Sequence, residues 1–207
     1  MRSNSYTLIF TSLITIFLGF LLSVAATSLK PLQDINIEID MKKNILGALG
    51  IEPTLSEKWT IPEVQDVYQS SILGLVLDKN GNKTDKNPKE IDTEKDENFF
   101  PIYLHQVDGQ VNGYVIPISG KGLWSTLYGY FAIDIDCETA KGITFYKHGE
   151  TPGLGGEVEK PWFQNNFIGK KFVNNDNELV GIQVVKGSVD KTSEETLNAR
   201  KTDWDLT

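Results

Sequence analysis

The sequence predicts an α+β protein: an N-terminal transmembrane helix, then a domain with a curved, mostly antiparallel sheet and packed helices. Three observations carry this. Residues 7–26 hold no charged side chain and are dominated by Leu, Ile, Phe, Val and Ala; about 20 residues at 1.5 Å each reach ~30 Å, the thickness of a bilayer core. Residues 100–107, 113–118, 126–135 and 143–147 are rich in β-branched and aromatic residues and read as strands. These strands follow one another, and only then come a loop, a helix and one more strand, an order that gives α+β rather than a parallel sheet.

Taken in order, the anchor comes first. Val24-Ala25-Ala26 offers small residues for a signal-peptide cut. The apolar run exceeds an h-region of about 7–15 residues, so a retained anchor is expected. Charge does not set its orientation: Arg2 lies on one side and Lys30, Lys42 and Lys43 on the other, and long domains translocate largely regardless of charge. Residues 34–49 read as a helix that extends or follows the anchor, with Ile35, Ile39, Ile45, Leu46 and Leu49 as an apolar stripe and Gly50 as its stop. A short helix is predicted over 62–69, where Pro62 suits the first turn and Glu63 the positive end. Residues 72–77 read as a strand.

Residues 78–98 are polar, with Ile91 as their single aliphatic residue, and Asn80-Gly81 and Asn87-Pro88 mark turns. A solvated loop is expected. Asp108-Gly109 predicts a hairpin turn. Along 127–133, Tyr128, Tyr130 and Ala132 alternate with Leu127, Gly129, Phe131 and Ile133, as in a strand with two unlike faces. Pro161-Trp162 predicts a helix with Trp162, Phe163 and Phe167 packed inward, and residues 179–185 a last strand. The domain reading is an anchor over 1–29, a helical connector over 30–60, an α+β domain over 61–187, and a polar C-terminal segment over 188–207.

Composition narrows the function. The 207 residues carry a formal charge of -8, which argues against a nucleic-acid partner, since that requires a basic face. One cysteine, Cys137, excludes an internal disulfide. His105 and His148 lack ligand-like spacing, so no metal site is expected. No G-x-G-x-x-G follows a strand, which argues against a dinucleotide site. The apolar span has no carboxylate to pass a cation.

The segment most unusual in its backbone chemistry is Gly149-Glu150-Thr151-Pro152-Gly153-Leu154-Gly155-Gly156-Glu157. Pro152-Gly153 fits a turn in which the glycine takes φ > 0. Thr151, ahead of proline, is pushed towards an extended conformation. Gly155 and Gly156 bare the chain, so another body can approach its amides. A flat ligand laid on backbone suits such a loop, and so does a plain surface turn between strand and helix.

A second segment, Ile118-Ser119-Gly120-Lys121-Gly122-Leu123-Trp124-Ser125, bears on that choice. Together the two resemble the FMN-binding domain of the NqrC family, the C subunits of Na+-translocating NADH:quinone oxidoreductases, in which S-G-x-G-L-W and E-T-P-G-L-G-G-E recur in this order. The likeness extends through 126–130, 142–146 and 162–170, and to Lys30-Pro31-Leu32-Gln33. The G subunit of the Rnf complex shares E-T-P-G-L-G but not the longer form.

The resemblance implies an inner-membrane, single-pass subunit with a periplasmic domain. It implies FMN as cofactor, other subunits of a membrane redox complex as partners, and electron relay from upstream iron centres to another flavin. The implied cofactor-binding residues are Ser119, Gly122, Leu123, Trp124, Glu150, Thr151, Gly153, Leu154 and Gly155. Trp124 and Leu154 are the expected walls of the ring. Thr151 offers a hydroxyl, and amides of the glycine loop would stabilise negative charge near N1 and the C2 carbonyl. Glu150 is expected to accept hydrogen bonds or clamp backbone rather than to move protons. No catalytic residue is assigned, since the redox chemistry belongs to the flavin.

The sequence departs from the family in one respect. The family esterifies the FMN phosphate to the last threonine of S-G-A-T-x-T, and no such motif occurs in these residues. Its nearest echo, at 189–198, puts Glu194 and Glu195 where Gly and Ala belong and Asn198 at the acceptor position, leaving Thr196 as a weak candidate. Two carboxylates would also repel a phosphate. The expectation is that the true motif and a terminal helix lie beyond Thr207; the rival is a degenerate copy. Functional alternatives are an Rnf-type electron-transport subunit, and an extracytoplasmic flavin-binding or scaffold protein without covalent FMN.

Overall fold

The computed structural model describes residues 4–54, 58–174, 176–186 and 201–204. It divides into two compact units, Met1–Asp40 and Met41–Thr207.

The first unit is helix. α1 runs unbroken over Asn4–Ala48, with Pro31 inside it, so the helix expected over 34–49 is a continuation of the anchor. Its apolar window is long enough to cross a membrane and has none of its residues buried by protein. Lys30 and Asp34 pair at 3.3 Å on an exposed turn, a contact that adds little to stability.

The second unit begins with the last two turns of α1. Ile45, Leu46 and Ala48 are fully buried there. Gly50 takes φ 72°, the Ile51 amide reaches Leu46 O at 3.0 Å and the Gly50 amide reaches Gly47 O at 3.0 Å. These are the two bonds that close a helix when its terminal residue turns left-handed. Residues 41–49, assigned to a connector by sequence, thus furnish core side chains. α2 spans Ile61–Ser71, is capped by Thr60 and leads directly into the sheet.

Six strands form the sheet: β1 (Ile72–Asp78), β2 (Lys83–Thr84), β3 (Phe99–Val107), β4 (Gln110–Lys121), β5 (Thr126–Ile133) and β6 (Ala140–Lys147). Their order is β2-β1-β3-β4-β5-β6, and every pairing is antiparallel. Asp108 and Gly109 take φ 51° and 77°, the pair of positive values that a two-residue hairpin needs to match strand twist. Register shifts at His105/Gln106, Tyr128/Gly129 and Ala132/Ile133 add local bend. The polar stretch 78–98 stays largely irregular; Asp78 accepts the amides of Asn80 and Asn82 at 2.8 and 2.9 Å, which holds the Asn80-Gly81 turn.

The sheet is packed on both faces. Tyr103, Val115, Tyr130 and Ala132 meet Ile45, Ala48 and Leu49 on one. Ile143, with Leu127, Phe131 and Phe145 beside it, meets Val158, Phe163 and Phe167 on the other. The alternation read along β5 is this division. Edge strand β6 is tied to α1: Thr144 Oγ1 donates to Asn44 O at 3.0 Å, and a Cβ on Gly142 would overlap Ala48 O.

Three expectations need correction. The helix from Pro161 is one turn, α3 (Pro161–Gln164), followed by a 3-10 turn over Asn165–Phe167. Phe163 and Phe167 point inward, but Trp162 is 38% exposed, because neighbouring positions on a helix point about 100° apart and Phe163 takes the inward one. The strand expected over 179–185 shrinks to β7 (Gln183–Lys186), which pairs in parallel with β8 (Lys201–Trp204) apart from the main sheet. Gly181 at φ 71° interrupts the extended run, and Leu179 is left 80% exposed.

Candidate functional site

β4 continues to Lys121, which pairs with Thr126 of β5, so Gly122 to Ser125 is the tip of a hairpin. The Gly122 amide donates to Ser125 O at 2.8 Å. Leu123 and Trp124 at the tip are 83% and 72% exposed. Ser119 lies within β4 opposite Tyr128.

β6 ends at Lys147 and releases the chain into the glycine loop. The turn forms as its sequence dictates: Gly153 has φ 74° and the Leu154 amide donates to Thr151 O at 3.1 Å. The Gly156 amide donates to the same oxygen at 3.0 Å, and a short 3-10 helix, Gly155–Glu159, follows. The amides of Leu154 and Gly156 are therefore spent inside the loop, which narrows the loop donors that sequence pointed to. Among the described residues, the amides of Thr151, Gly153 and Gly155 have no hydrogen-bond partner in the protein.

The Glu150 carboxylate joins the two segments. Its Oε1 accepts the amide of Trp124 at 3.0 Å and that of Ser125 at 3.2 Å. The Trp124 amide, helped by those of Ser125 and Leu123, holds this carboxyl below the usual range. From the far side, a Cβ on Gly155 would lie 2.9 Å from Glu150 Oε2, and one on Gly122 would overlap Oε1. Gly122, Trp124, Ser125 and Gly155 thus close around the Glu150 carboxylate. Ser125 Oγ accepts the Gly149 amide as a second tie. Leu154 is 58% exposed.

A shallow hollow of about 310 Å³ opens beside these loops, lined by Ser125, Thr126, Tyr128, Lys147, His148 and Gly149. Lys147 Nζ sits 4.9 Å above the Tyr128 ring, and Tyr128 OH donates to Glu94 at 2.7 Å. Sequence reading assigned no site role to Ser125, Lys147 or His148; their only signal was adjacency to the two segments.

Comparisons with known proteins give the family. Residues 122–202 match the family described as FMN-binding domain. The C subunit of the Na(+)-translocating NADH-quinone reductase of Pasteurella multocida is 37% identical over 206 residues, covering 88% of this chain and 77% of that one. This chain belongs to the NqrC family. The corresponding C subunit of Pseudomonas aeruginosa is 33% identical over 217 residues, covering 93% of this chain and 81% of that one. A crystal structure of the C subunit from Parabacteroides distasonis superposes with a TM-score of 0.69 at 31% identity, over 86% of this chain and 83% of that one.

The donor set of this NqrC family member suits FMN. Exposed Trp124 and Leu154 supply apolar surface, and three unengaged amides supply donors for an acceptor-rich ring edge. Thr196 and Asn198, weighed above for phosphate attachment, lie outside the described residues.

Proposed function

We propose that this chain is the membrane-anchored FMN subunit of a Na+-translocating NADH:quinone reductase, passing electrons within that complex between iron centres and a second flavin. The observation that carries this reading is the Glu150 clasp, which brings the hairpin tip and the glycine loop of an NqrC family member to one carboxylate. The flavin, when bound, supplies reversible electron storage. The protein contributes position and electronics: Trp124 and Leu154 flank the ring, Leu123 extends that surface, and Thr151 offers its hydroxyl. The amides of Thr151, Gly153 and Gly155 face the ring edge where negative charge gathers on reduction. Ser119, Gly122 and Glu150 hold the hairpin that presents Trp124. The apolar part of α1 is the single membrane span, residues 30–60 lead away from it, 61–187 form the flavin domain in the periplasm, and the other subunits of the complex are its partners.

Replacing Trp124 or Leu154 by alanine is expected to change flavin content or midpoint potential. Wild-type values in both variants would remove the site from these loops. A second reading is favoured by the echo at 189–198, where Asn198 stands at the acceptor position and Glu194 and Glu195 where Gly and Ala belong: a flavin-binding subunit that holds FMN without a phosphoester. A denaturing gel under ultraviolet light separates the two, since only covalent flavin leaves a fluorescent band.

A further inference from the structure

His148 is used by none of the roles above, yet it is built into the loop. Its side chain is 13% exposed. The Glu150 amide donates to its Nδ1 at 3.3 Å, so Nδ1 carries no proton and the neutral ring must carry it on Nε2. Nε2 is shielded from solvent, makes no hydrogen bond within the described residues, and faces Glu159 Oε2 at 3.5 Å. A Cβ on Gly156 would lie 3.5 Å from His148 Cε1, so the ring occupies the space beside that glycine. One imidazole therefore accepts from the Glu150 backbone, borders Gly156 and faces the last residue of the 3-10 helix.

We propose that His148 is a positioning residue for the flavin loop. Through Nδ1 it fixes the Glu150 backbone, and with Nε2 lying 3.5 Å from Glu159 Oε2 it sits against the far end of the loop, so the Thr151–Gly155 amides keep one spacing. This rests on the flavin reading above. A loop held at two points has its donors pre-organised; released, it must be reordered each time it meets the ring. The role is distinct from that of Glu150, whose side chain ties the loop to the hairpin.

The test uses the detergent-solubilised full chain. Nitrogen-15 NMR of the wild type should show His148 protonated at Nε2 and not at Nδ1. His148→Phe should change the relative affinity for oxidised and reduced flavin roughly tenfold, about 30 mV for a two-electron couple, and shift the visible absorption band. His148→Asn, whose amide oxygen can replace Nδ1, should restore most of both. Glu159→Gln should produce a smaller change of the same sign. A proton on Nδ1 would overturn the proposal, as would a His148→Phe variant that melts lower but keeps the wild-type potential and spectrum. Should His148→Phe fail to fold, the tautomer and Glu159→Gln decide. Absence of flavin from the wild type would overturn the functional reading instead, with the tautomer still deciding the geometry at His148.

Discussion

Glu150 Oε1 takes the backbone amide of Trp124 at 3.0 Å across 26 residues of sequence, so a side chain does here what a strand neighbour does elsewhere. Glu150→Ala should free that amide and its neighbour at Ser125. Hydrogen exchange, corrected for its intrinsic pH dependence, should show both losing protection while β4 and β5 keep theirs. The folded carboxyl lies below its ordinary value of 4.5, so the folded state resists protonation. The clasp is fully present above 4.5 and weakens as pH falls through the folded pKa. Unchanged protection at Trp124 in the variant would mean that the carboxylate does not hold the hairpin.

Gly122 and Gly155 both border the carboxylate, but alanine should be harder to place at Gly122. There the added Cβ also meets Ser125 O at 2.7 Å, which is backbone, whereas at Gly155 its three nearest neighbours all belong to the Glu150 side chain. Gly122→Ala should therefore lower the melting temperature and flavin content more than Gly155→Ala. Gly153→Ala meets no neighbour but must adopt φ 74°, a cost of about 1 kcal/mol. Equal losses at Gly122 and Gly155 would argue against this ordering.

His105 gives the fold an acid-sensitive point away from the loops. It is 9% exposed on β3, and its Nδ1 has no hydrogen-bond partner among the described residues. Burial first, and the charge of Lys141 second, hold its pKa below the ordinary 6.5. Below 6.5 the unfolded chain binds a proton that the folded chain resists, so stability falls with pH in that window. The melting temperature should decline below 6.5 in the wild type and decline less in His105→Gln. Parallel profiles would sink this.

Cys137 is exposed and is the single thiol of the sequence, which makes it a native reporter of sidedness. With a periplasmic domain, a membrane-impermeant maleimide should label it in intact spheroplasts as fully as in lysed ones. Labelling only after lysis would reverse the proposed orientation.

Much of the sheet was legible because its signals are local. Period-two alternation in β5 sorts Leu127 and Phe131 from Tyr130 and Ala132, and Asp108-Gly109 specifies its turn without help from elsewhere. Trp162 was misread because sequence could not say that α3 stops after one turn. Without that length, its direction is undetermined. Leu179 was misread because hydrophobicity outweighed Gly181 in the pattern. The glycine loop was legible as a turn, but not which of its amides would be consumed by Thr151 O. That depends on the chain folding back into a 3-10 helix. Nothing local marks His148 as a tether, since its partners are fixed only when that loop closes.

The bond from Thr144 to Asn44 spans 100 residues of sequence. During translation at about 5–20 residues per second, the end of α1 therefore waits roughly 5–20 s for the strand that ties it to the sheet edge. Ile45 gains its cover piecemeal over that interval, as Tyr103, Val115, Tyr130 and Ala132 arrive on successive strands. Closing so long a segment is an entropic delay that local helix formation cannot shorten, and it leaves the end of α1 without its tie to the sheet edge until β6 has been made.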